Sequence, residues 1–400
     1  MRPAWHAGAA CIARRVRGGY RSWVSLSTPE HPEPRKPVVA LIFGGRSSEH
    51  EVSCATAASV LRSIDRSRYD VLPIGIRKDG RWVLVADDPE PLQLTAGRTP
   101  EVSGDQAVAL PTDPTDRSLV VLEPGAPPRE LGEVDVVFPL LHGPFGEDGT
   151  LQGLLELSDV RYVGCGVSAS AVMMDKALMK VVFAGNGLPI GPYTVITDKA
   201  WRRDSAACLD SANALGWPVF VKPARAGSSM GVVRVDDPAG LRAAIESARQ
   251  HDPKVLVEAA VDGREVECGV LEGRGADAPR ASQVGEIEVA DGRHEFYDFE
   301  AKYLDGSARL TCPADLPDVV RDEIRELSVR AFEAAGCEGL ARVDWWYRPD
   351  GSLVLNEINT MPGFTPQSMF PVVWAQAGLD YPSLITELLE LALARRVGLR

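Results

Sequence analysis

The sequence is short of several features that would identify common protein classes. Its seven cysteines (Cys11, Cys54, Cys165, Cys208, Cys268, Cys312 and Cys337) are isolated, odd in number and free of any C-x-x-C pair. That argues against a disulfide framework or a zinc site and suits a reducing cytoplasm. No apolar run reaches the roughly 18 residues needed to cross a bilayer. No G-x-x-x-x-G-K-[ST] segment occurs, which excludes a P-loop nucleotide site. There is no internal repeat and no low-complexity tract. Positive charge is in deficit, with 43 basic against 56 acidic residues and a formal charge of −13. The deficit is uneven: residues 1–36 carry Arg2, Arg14, Arg15, Arg17, Arg21, Arg35 and Lys36 against Glu30 and Glu33, a net +5, which leaves −18 on the remainder. So acidic a body repels nucleic acid and anionic membranes, and neither is expected as a partner. Any phosphate-bearing ligand must be met by a few placed cations.

What is present reads as a globular chain. The 400 residues, 45% hydrophobic and 25% charged, allow two to four domains at about 100–200 residues each. The acid-free, Arg- and Ser-containing first 29 residues superficially match a transit peptide, and without a long apolar core they do not read as a secretory signal; an upstream start codon or a targeting segment is the alternative to a disordered tail. They read as a disordered basic tail, 1–36, closed by the linker P-E-H-P-E-P-R-K-P, so folding should begin at Val38. VVALIFGG, the helical pattern Glu51–Ile64, VLPIGI and VDVVFPLLHG alternate as a parallel α/β domain does. Ala86–Arg129 reads as an insertion of irregular structure and short edge strands. A strand, turn and helix follow over Asp159–Met174. From Trp217, PVFVKP, GVVRV, KVLVEAAV and REVECGVL read as antiparallel strands joined by short turns. An amphipathic segment at Asp315–Ala335, the hairpin ARVDWWY/SLVLNEIN around R-P-D-G and a structural helix at Ser383–Ala394 complete the chain.

Five segments carry candidate chemistry. Gly164-Cys165-Gly166-Val167-Ser168-Ala169 fits a dinucleotide fingerprint, but no acid stands about twenty residues on to take ribose hydroxyls, so it reads as a structural turn. Lys222-Pro223-Ala224-Arg225-Ala226-Gly227-Ser228-Ser229-Met230-Gly231 delivers a lysine from a strand into a small-residue loop able to close over phosphates. In the C-terminal hairpin, placing R-P-D-G at the turn pairs Tyr347 near Val354, Asp344 with Glu357 and Arg342 with Asn359. Facing carboxylates repel unless a cation lies between them, and Asp, Glu and Asn oxygens suit Mg²⁺. An arginine beside such an ion can stabilise charge on a transferring phosphoryl or a tetrahedral centre. Gly44–Glu51 joins a strand to a helix, where Glu49 either caps the helix or receives a substrate ammonium. His142, in LLHGPFGEDGT, sits at another strand end, as a ligand contact or a hydrogen-bonded structural residue.

Together these segments resemble the D-alanine:D-alanine ligases of the ATP-grasp superfamily. GGRSSEHEVS, LHGPFGEDGTLQG, the MDK containing Asp175-Lys176, VKPARAGSSMG, VLVEAAVDGREVE, YDFEAKY, ARVDWW and NEINTMPGFTPQSMFP occur in family order from Val38 almost to the C-terminus. The resemblance implies an N-terminal α/β substrate domain (37–164). A central domain with the phosphate loop (165–261) and a C-terminal domain with the metal site (262–400) would clamp ATP between antiparallel sheets. It further implies Lys176, Lys222 and Ser229 on ATP phosphates, Glu258 with the backbone of Ala260 and Val261 on adenine, and Glu265 on the ribose. Asp344, Glu357 and Asn359 would hold Mg²⁺ or Mn²⁺, two ions in all. Glu49 would bind the ammonium of the first D-alanine, linked through Ser228 and Tyr303 to a lid. Arg342 and the Gly363 amide would stabilise the tetrahedral intermediate, Lys302 and Ser368 would take the second carboxylate, and His142 and Met369 would border the substrate. The Ala259-Ala260-Val261 stretch is smaller than is usual in the family, and the tail has no counterpart there.

The implied reaction joins two D-alanines through an acylphosphate, giving D-alanyl-D-alanine and ADP for peptidoglycan precursors, in a cytoplasmic enzyme expected to be a homodimer. A D-alanine:D-lactate ligase is the nearest alternative, against which Tyr303 in EAKY argues. An NAD-dependent oxidoreductase has only the Gly164 turn in its favour. A catalytically dead nucleotide-binding module is opposed by the occupancy of every mapped polar position.

Overall fold

The computed structural model describes residues 35–95, 99–123, 125–289 and 308–396. The basic tail up to residue 34, and the expected ligands Lys302 and Tyr303, lie outside them. Residues from Lys36 onward form one unit built on three sheets.

The first sheet contains β1 (Val38–Gly44), β2 (Asp70–Ile76), β3 (Trp82–Leu84), β4 (Ala107–Ala109), β5 (Ser118–Leu122), β6 (Arg129–Glu133), β7 (Val136–Pro139) and β8 (Arg161–Tyr162), with α1 (His50–Ser63) and α2 (Thr150–Leu157) among them. The order is β6-β5-β4-β3-β2-β1-β7-β8. Strands β2, β1, β7 and β8 are parallel, while β3 to β6 add an antiparallel meander whose middle strands β4 and β5 lie within the 86–129 insertion. Val39 to Phe43 are almost wholly buried, as expected of a central parallel strand covered on both faces. The carboxyl end of β1 releases the chain at Gly44, whose φ of +89° and 2.4 Å clearance between a built Cβ and Ile76 O admit only glycine.

Next come α3 (Val167–Met174), α4 (Lys176–Gly185), β9 (Tyr193–Thr197), α5 (Asp198–Arg203), α6 (Ser205–Asn213), β10 (Val219–Pro223), β11 (Val233–Val235), α7 (Pro238–Ala248) and β12 (Lys254–Ala259). The second sheet has the antiparallel order β11-β10-β12-β9. Alternation along β10 buries Val219 and Val221 in the core beneath α7 and turns Phe220 and Lys222 to the opposite face. The expectation of short turns throughout is corrected here. Between β11 and β12 the chain forms α7, started by Asp237 accepting from the Ala239 amide with proline at the first turn. The step from β12 to the next strand changes sheets.

The third sheet, β15-β14-β13-β16-β17, uses β13 (Arg264–Leu271), β14 (Arg280–Val289), β15 (Ala308–Thr311), β16 (Leu340–Tyr347) and β17 (Leu353–Asn359). Helix α8 (Asp318–Ala334) precedes β16, and α9 (Met369–Gln376) and α10 (Tyr381–Ala394) end the fold. Val266, Cys268, Val270, Val343 and Trp345 pack in one core with Ile324, Ala331 and Phe332 of α8. Their strand neighbours Glu265, Glu267, Arg342 and Asp344 therefore occupy the other face. The hairpin register agrees with the sequence reading at Arg342–Asn359 and Asp344–Glu357, but a bulge after Asp344 slips the turn end, so Tyr347 pairs with Leu353 instead of Val354. Before the bulge Leu353 and Leu355 face the core, and after it Ile358 does. The extra residue thus reverses the alternation and puts Glu357 and Asn359 on the face of Asp344.

Helix α10 is more than a terminal cover. Leu384, Ile385, Leu388 and Leu389 share a core with β1, α1 and β7 on one side and α9 on the other, tying the first sheet to the third. Trp345 is fully buried and donates its indole N–H to Ser328 Oγ at 2.9 Å. Trp345→Ala is expected to cost about 3–5 kcal/mol, from lost burial and a residual cavity. Chemical denaturation monitored by circular dichroism would check this, and an unchanged midpoint would contradict it.

Candidate active site

One cavity of about 840 Å³ is lined from all three sheets. The first sheet contributes Glu49, His142 and Glu147. The second, with α4, contributes Lys176, Lys180, Lys222, the 226–230 loop and Glu258–Val261. The third contributes Glu265, Arg342, Asp344, Glu357, Asn359 and the turn 360–363.

Glu49 follows β1 and immediately precedes α1, but its side chain makes no capping bond. It crosses to the second sheet, where Ser228 Oγ donates to its Oε1 at 2.5 Å over a sequence separation of 179 residues. Its Oε2 lies in a narrow gap: a built Cβ would fall 2.6 Å away at Gly143 and 2.9 Å away at Gly227. Ser47 Oγ fixes the neighbouring loop by donating to His142 O at 2.8 Å. His50, the adjacent histidine, is structural, with Nδ1 on Gly45 O and Nε2 accepting from the Val102 amide.

The imidazole of His142 lies 3.1 Å from Met361 O through Nδ1. A carbonyl only accepts, so Nδ1 carries the proton and Nε2 a lone pair, which is buried without a protein partner. Burial pushes this imidazole's pKa down against the pull of nearby Glu49, and the ring is a neutral acceptor. Glu147, a residue not singled out by the sequence reading, accepts from the Gly143 amide at 2.6 Å and the Met361 amide at 3.3 Å. Burial and the charge of Glu49 push its carboxyl up to about 8.

Asp175 caps α4 through the amides of Ala177 and Leu178. Lys176, the first residue of the helix, donates its backbone amide to Ala224 O and its Nζ to Ala226 O, and lies 3.3 Å from Glu357 Oε2. Ser228 and Ser229 both adopt left-handed backbone angles, φ +47° and +55°, a strained pair for non-glycine residues. At the other end Glu258 binds Lys180 at 2.5 Å through Oε1 and Lys222 at 2.6 Å through Oε2. Burial works against its ionised form, but Lys222 and Lys180 more than offset that and hold it at about 2. The Ala260 amide is already spent on Pro218 O at 3.0 Å, so only its carbonyl remains for a ligand.

Glu267, Asp344 and Glu357 stand opposite one another on β13, β16 and β17. Arg342 lies between them, 3.0 Å from Glu267 and 2.7 Å from Asp344. Its pKa is raised because these carboxylates outweigh its own desolvation. Asn359 Nδ2 donates to Asp344 Oδ2 at 2.9 Å, leaving its carbonyl oxygen for a ligand. Among the described residues no three His, Cys, Asp or Glu side chains form a metal cluster by themselves. The expected set is two carboxylates and an amide. Its hard oxygens, with Glu267 in close support and more acid than base around them, fit a hard divalent cation.

Of the remaining expected residues, Glu265 and Gly363 line the cavity, whereas Ser368 and Met369 do not. Ser368 is held by Thr365 at the start of α9, and Met369 is 3% exposed within the core. The Met369 sulfur is packed against Gly285, so its backbone is the part of the residue available to a ligand. Lys180 and Glu267 were also missed, although each repeats a functional spacing, Lys180 one helical turn after Lys176 and Glu267 two strand residues after Glu265. The Gly164 turn makes a purely structural contact, its carbonyl accepting from Arg395 at 2.5 Å.

Two family models match the chain, the D-ala D-ala ligase N-terminus over residues 38–165 and the D-ala D-ala ligase C-terminus over 182–390. A D-alanine–D-alanine ligase of Pseudarthrobacter chlorophenolicus is 60% identical over 94% of this chain and 99% of its own length, and one of Streptomyces avermitilis is 57% identical over 93% and 98%. Among solved structures, the VanG D-Ala:D-Ser ligase of Enterococcus faecalis aligns with a TM-score of 0.77 at 34% identity, covering 90% of this chain and all of that one. The D-alanine–D-alanine ligase of Coxiella burnetii aligns at 0.74 and 32%, covering 90% and 94%. No helix among the described residues is long and apolar enough to cross a membrane.

The raised carboxyl of Glu147 has a stability consequence. Its proton is held in the folded state up to about pH 8 and released on unfolding above about pH 4.5, so its contribution, full below pH 4.5, is lost as the pH rises to 8. Glu147→Gln should flatten the fall in urea midpoint between pH 5 and 8. Parallel pH profiles for the two proteins would contradict this.

Proposed function

Because the chain belongs to the D-alanine–D-alanine ligase family, we propose that it joins two D-alanines to D-alanyl-D-alanine, converting ATP to ADP and phosphate through an acylphosphate, for peptidoglycan precursor synthesis. The observation that carries this reading is the convergence in one cavity of Glu49, the Lys222–Ser229 segment and the Arg342–Asp344–Glu357 group, one from each sheet. In this reading the enzyme works in the cytoplasm as a homodimer.

Glu49 takes the ammonium of the first D-alanine, with His142 Nε2 beside it as a neutral acceptor, which leaves the carboxylate directed at the nucleotide. Lys176, Lys222 and Ser229 hold the phosphates and reduce the repulsion between the attacking carboxylate and the γ-phosphoryl group. Glu258, the Ala260 carbonyl and Val261 meet the adenine, and Glu265 the ribose. Mg²⁺ or Mn²⁺, two ions bound through Asp344, Glu357 and Asn359, would supply charge neutralisation at the phosphate oxygens. Arg342 and the Gly363 amide stabilise the oxyanion formed when the second amine attacks the acyl carbon. Lys302, Ser368 and the Met369 amide receive the second carboxylate, and Ser228 with Tyr303 links Glu49 to the lid. Water must be excluded while the acylphosphate exists, since hydrolysis would waste it.

The similarity to a D-Ala:D-Ser ligase makes the acceptor the part of this reading most in need of a test. Phosphate release measured with D-alanine, L-alanine, D-lactate and D-serine, each with ATP, should be supported by D-alanine alone. A dominant depsipeptide in mixtures of D-alanine and D-lactate would overturn the dipeptide reading. Arg342→Met should lower kcat by about 10²–10³-fold with smaller changes in KM. Glu357→Gln should abolish measurable turnover in steady-state assays while the chain stays folded.

A further inference from the structure

Lys180 has no part in the reaction described above, although only 2% of it is exposed and it lines the nucleotide end of the cavity. A buried ammonium is costly and calls for a reason. It stands one helical turn after Lys176 on α4, its Nζ 2.5 Å from Glu258 Oε1 and 5.6 Å from the ring of Tyr193, which pairs with Glu258 across β9 and β12. Lys222 holds the other oxygen, so each oxygen of Glu258 has its own lysine.

The two lysines are not equivalent. Lys222 leads into the phosphate loop and also feels Glu357 and Glu265, so an anionic ligand competes for it. Lys180 sits behind Glu258 on the helix. Once a phosphate draws Lys222 away, Glu258 would be left as a buried carboxylate with a single counter-ion, and without Lys180 it would have none and would take up a proton. An ionised carboxylate only accepts hydrogen bonds, whereas a protonated one also donates. The surrounding walls, Phe220, Val261, Val354 and Leu355, suit a flat base.

We propose that Lys180 is a positioning residue that keeps Glu258 a pure acceptor while Lys222 serves the phosphates, and that the pair thereby selects a purine with a 6-amino donor over one with a 6-oxo group. The inference rests on the ATP reading above but not on the identity of the amino acids. The two lysines' hold on Glu258, which keeps its carboxyl at about 2 despite its burial, supports it.

The test is calorimetric binding of ATP and of ITP, with Mg²⁺ and without D-alanine, to the full chain. Wild type should prefer ATP by about 100-fold or more, because a 6-oxo group turns an acceptor toward an acceptor. Lys180→Met should shrink that ratio at least about tenfold, and Lys180→Arg, which keeps the charge, should stay within about threefold of wild type. Equal binding of ITP and ATP by wild type would overturn the proposal without any variant. So would an unchanged ratio in Lys180→Met, or equal losses in Lys180→Met and Lys180→Arg. Because D-alanine is absent, a failure of the dipeptide reading would appear only in the turnover assays and leave this result standing.

Discussion

Three carboxylates facing one another across adjacent strands are a constraint that most of the site answers. Glu267, Asp344 and Glu357 repel in the cross-strand positions where like charges destabilise a sheet. Arg342 offsets two of them from within the same strand. The third depends on Lys176, which reaches Glu357 from the N-terminus of α4, where the backbone is tied to Ala224 and the cap Asp175 is paired with Lys254 at 2.5 Å. The charge balance of the third sheet is thus completed from a helix whose N-terminus is tied to the second sheet while Met179 and Phe183 pack in the third sheet's own core. Removing one partner of such a buried set leaves an uncompensated charge, which costs more than the pair contributes.

The same cavity holds two buried carboxyl groups in opposite states. Glu147 is served by backbone amides and faces Glu49, so burial dominates and it stays protonated to about pH 8. Glu258 is buried too but has two lysines, and it stays ionised. Composition cannot tell these cases apart, since both are single glutamates beside glycine or alanine. The difference lies in what the third dimension brings to each.

This explains what was legible in the sequence and what was not. Strand β1, helix α1 and the β16–β17 hairpin could be read because alternation and turn chemistry are local, and the Asp344–Glu357 pairing followed from them. The bulge was not legible, because it depends on Leu355 and Ile358 both needing the α8 core. Helices α5 to α7 are short, and α6 and α7 are rich in small residues, so their periodicity was lost between stronger strand signals. Lys180 and Glu267 escaped notice for another reason: their burial is a tertiary property, and an exposed reading is the default for any lysine or glutamate.

The bond between Ser228 and Glu49 has a thermodynamic side. Two successive left-handed serines are unfavourable by themselves, and the bond to Glu49 is a contact from the first sheet that offsets the strain. Glu49 in turn is confined between Gly143 and Gly227, the latter part of the same loop. A ligand of the loop that alters this bond alters the affinity for a ligand at Glu49, and by linkage the reverse effect is equal in size. The backbone strain of the loop and the placement of Glu49 are therefore two sides of a single coupling free energy, carried through one hydrogen bond.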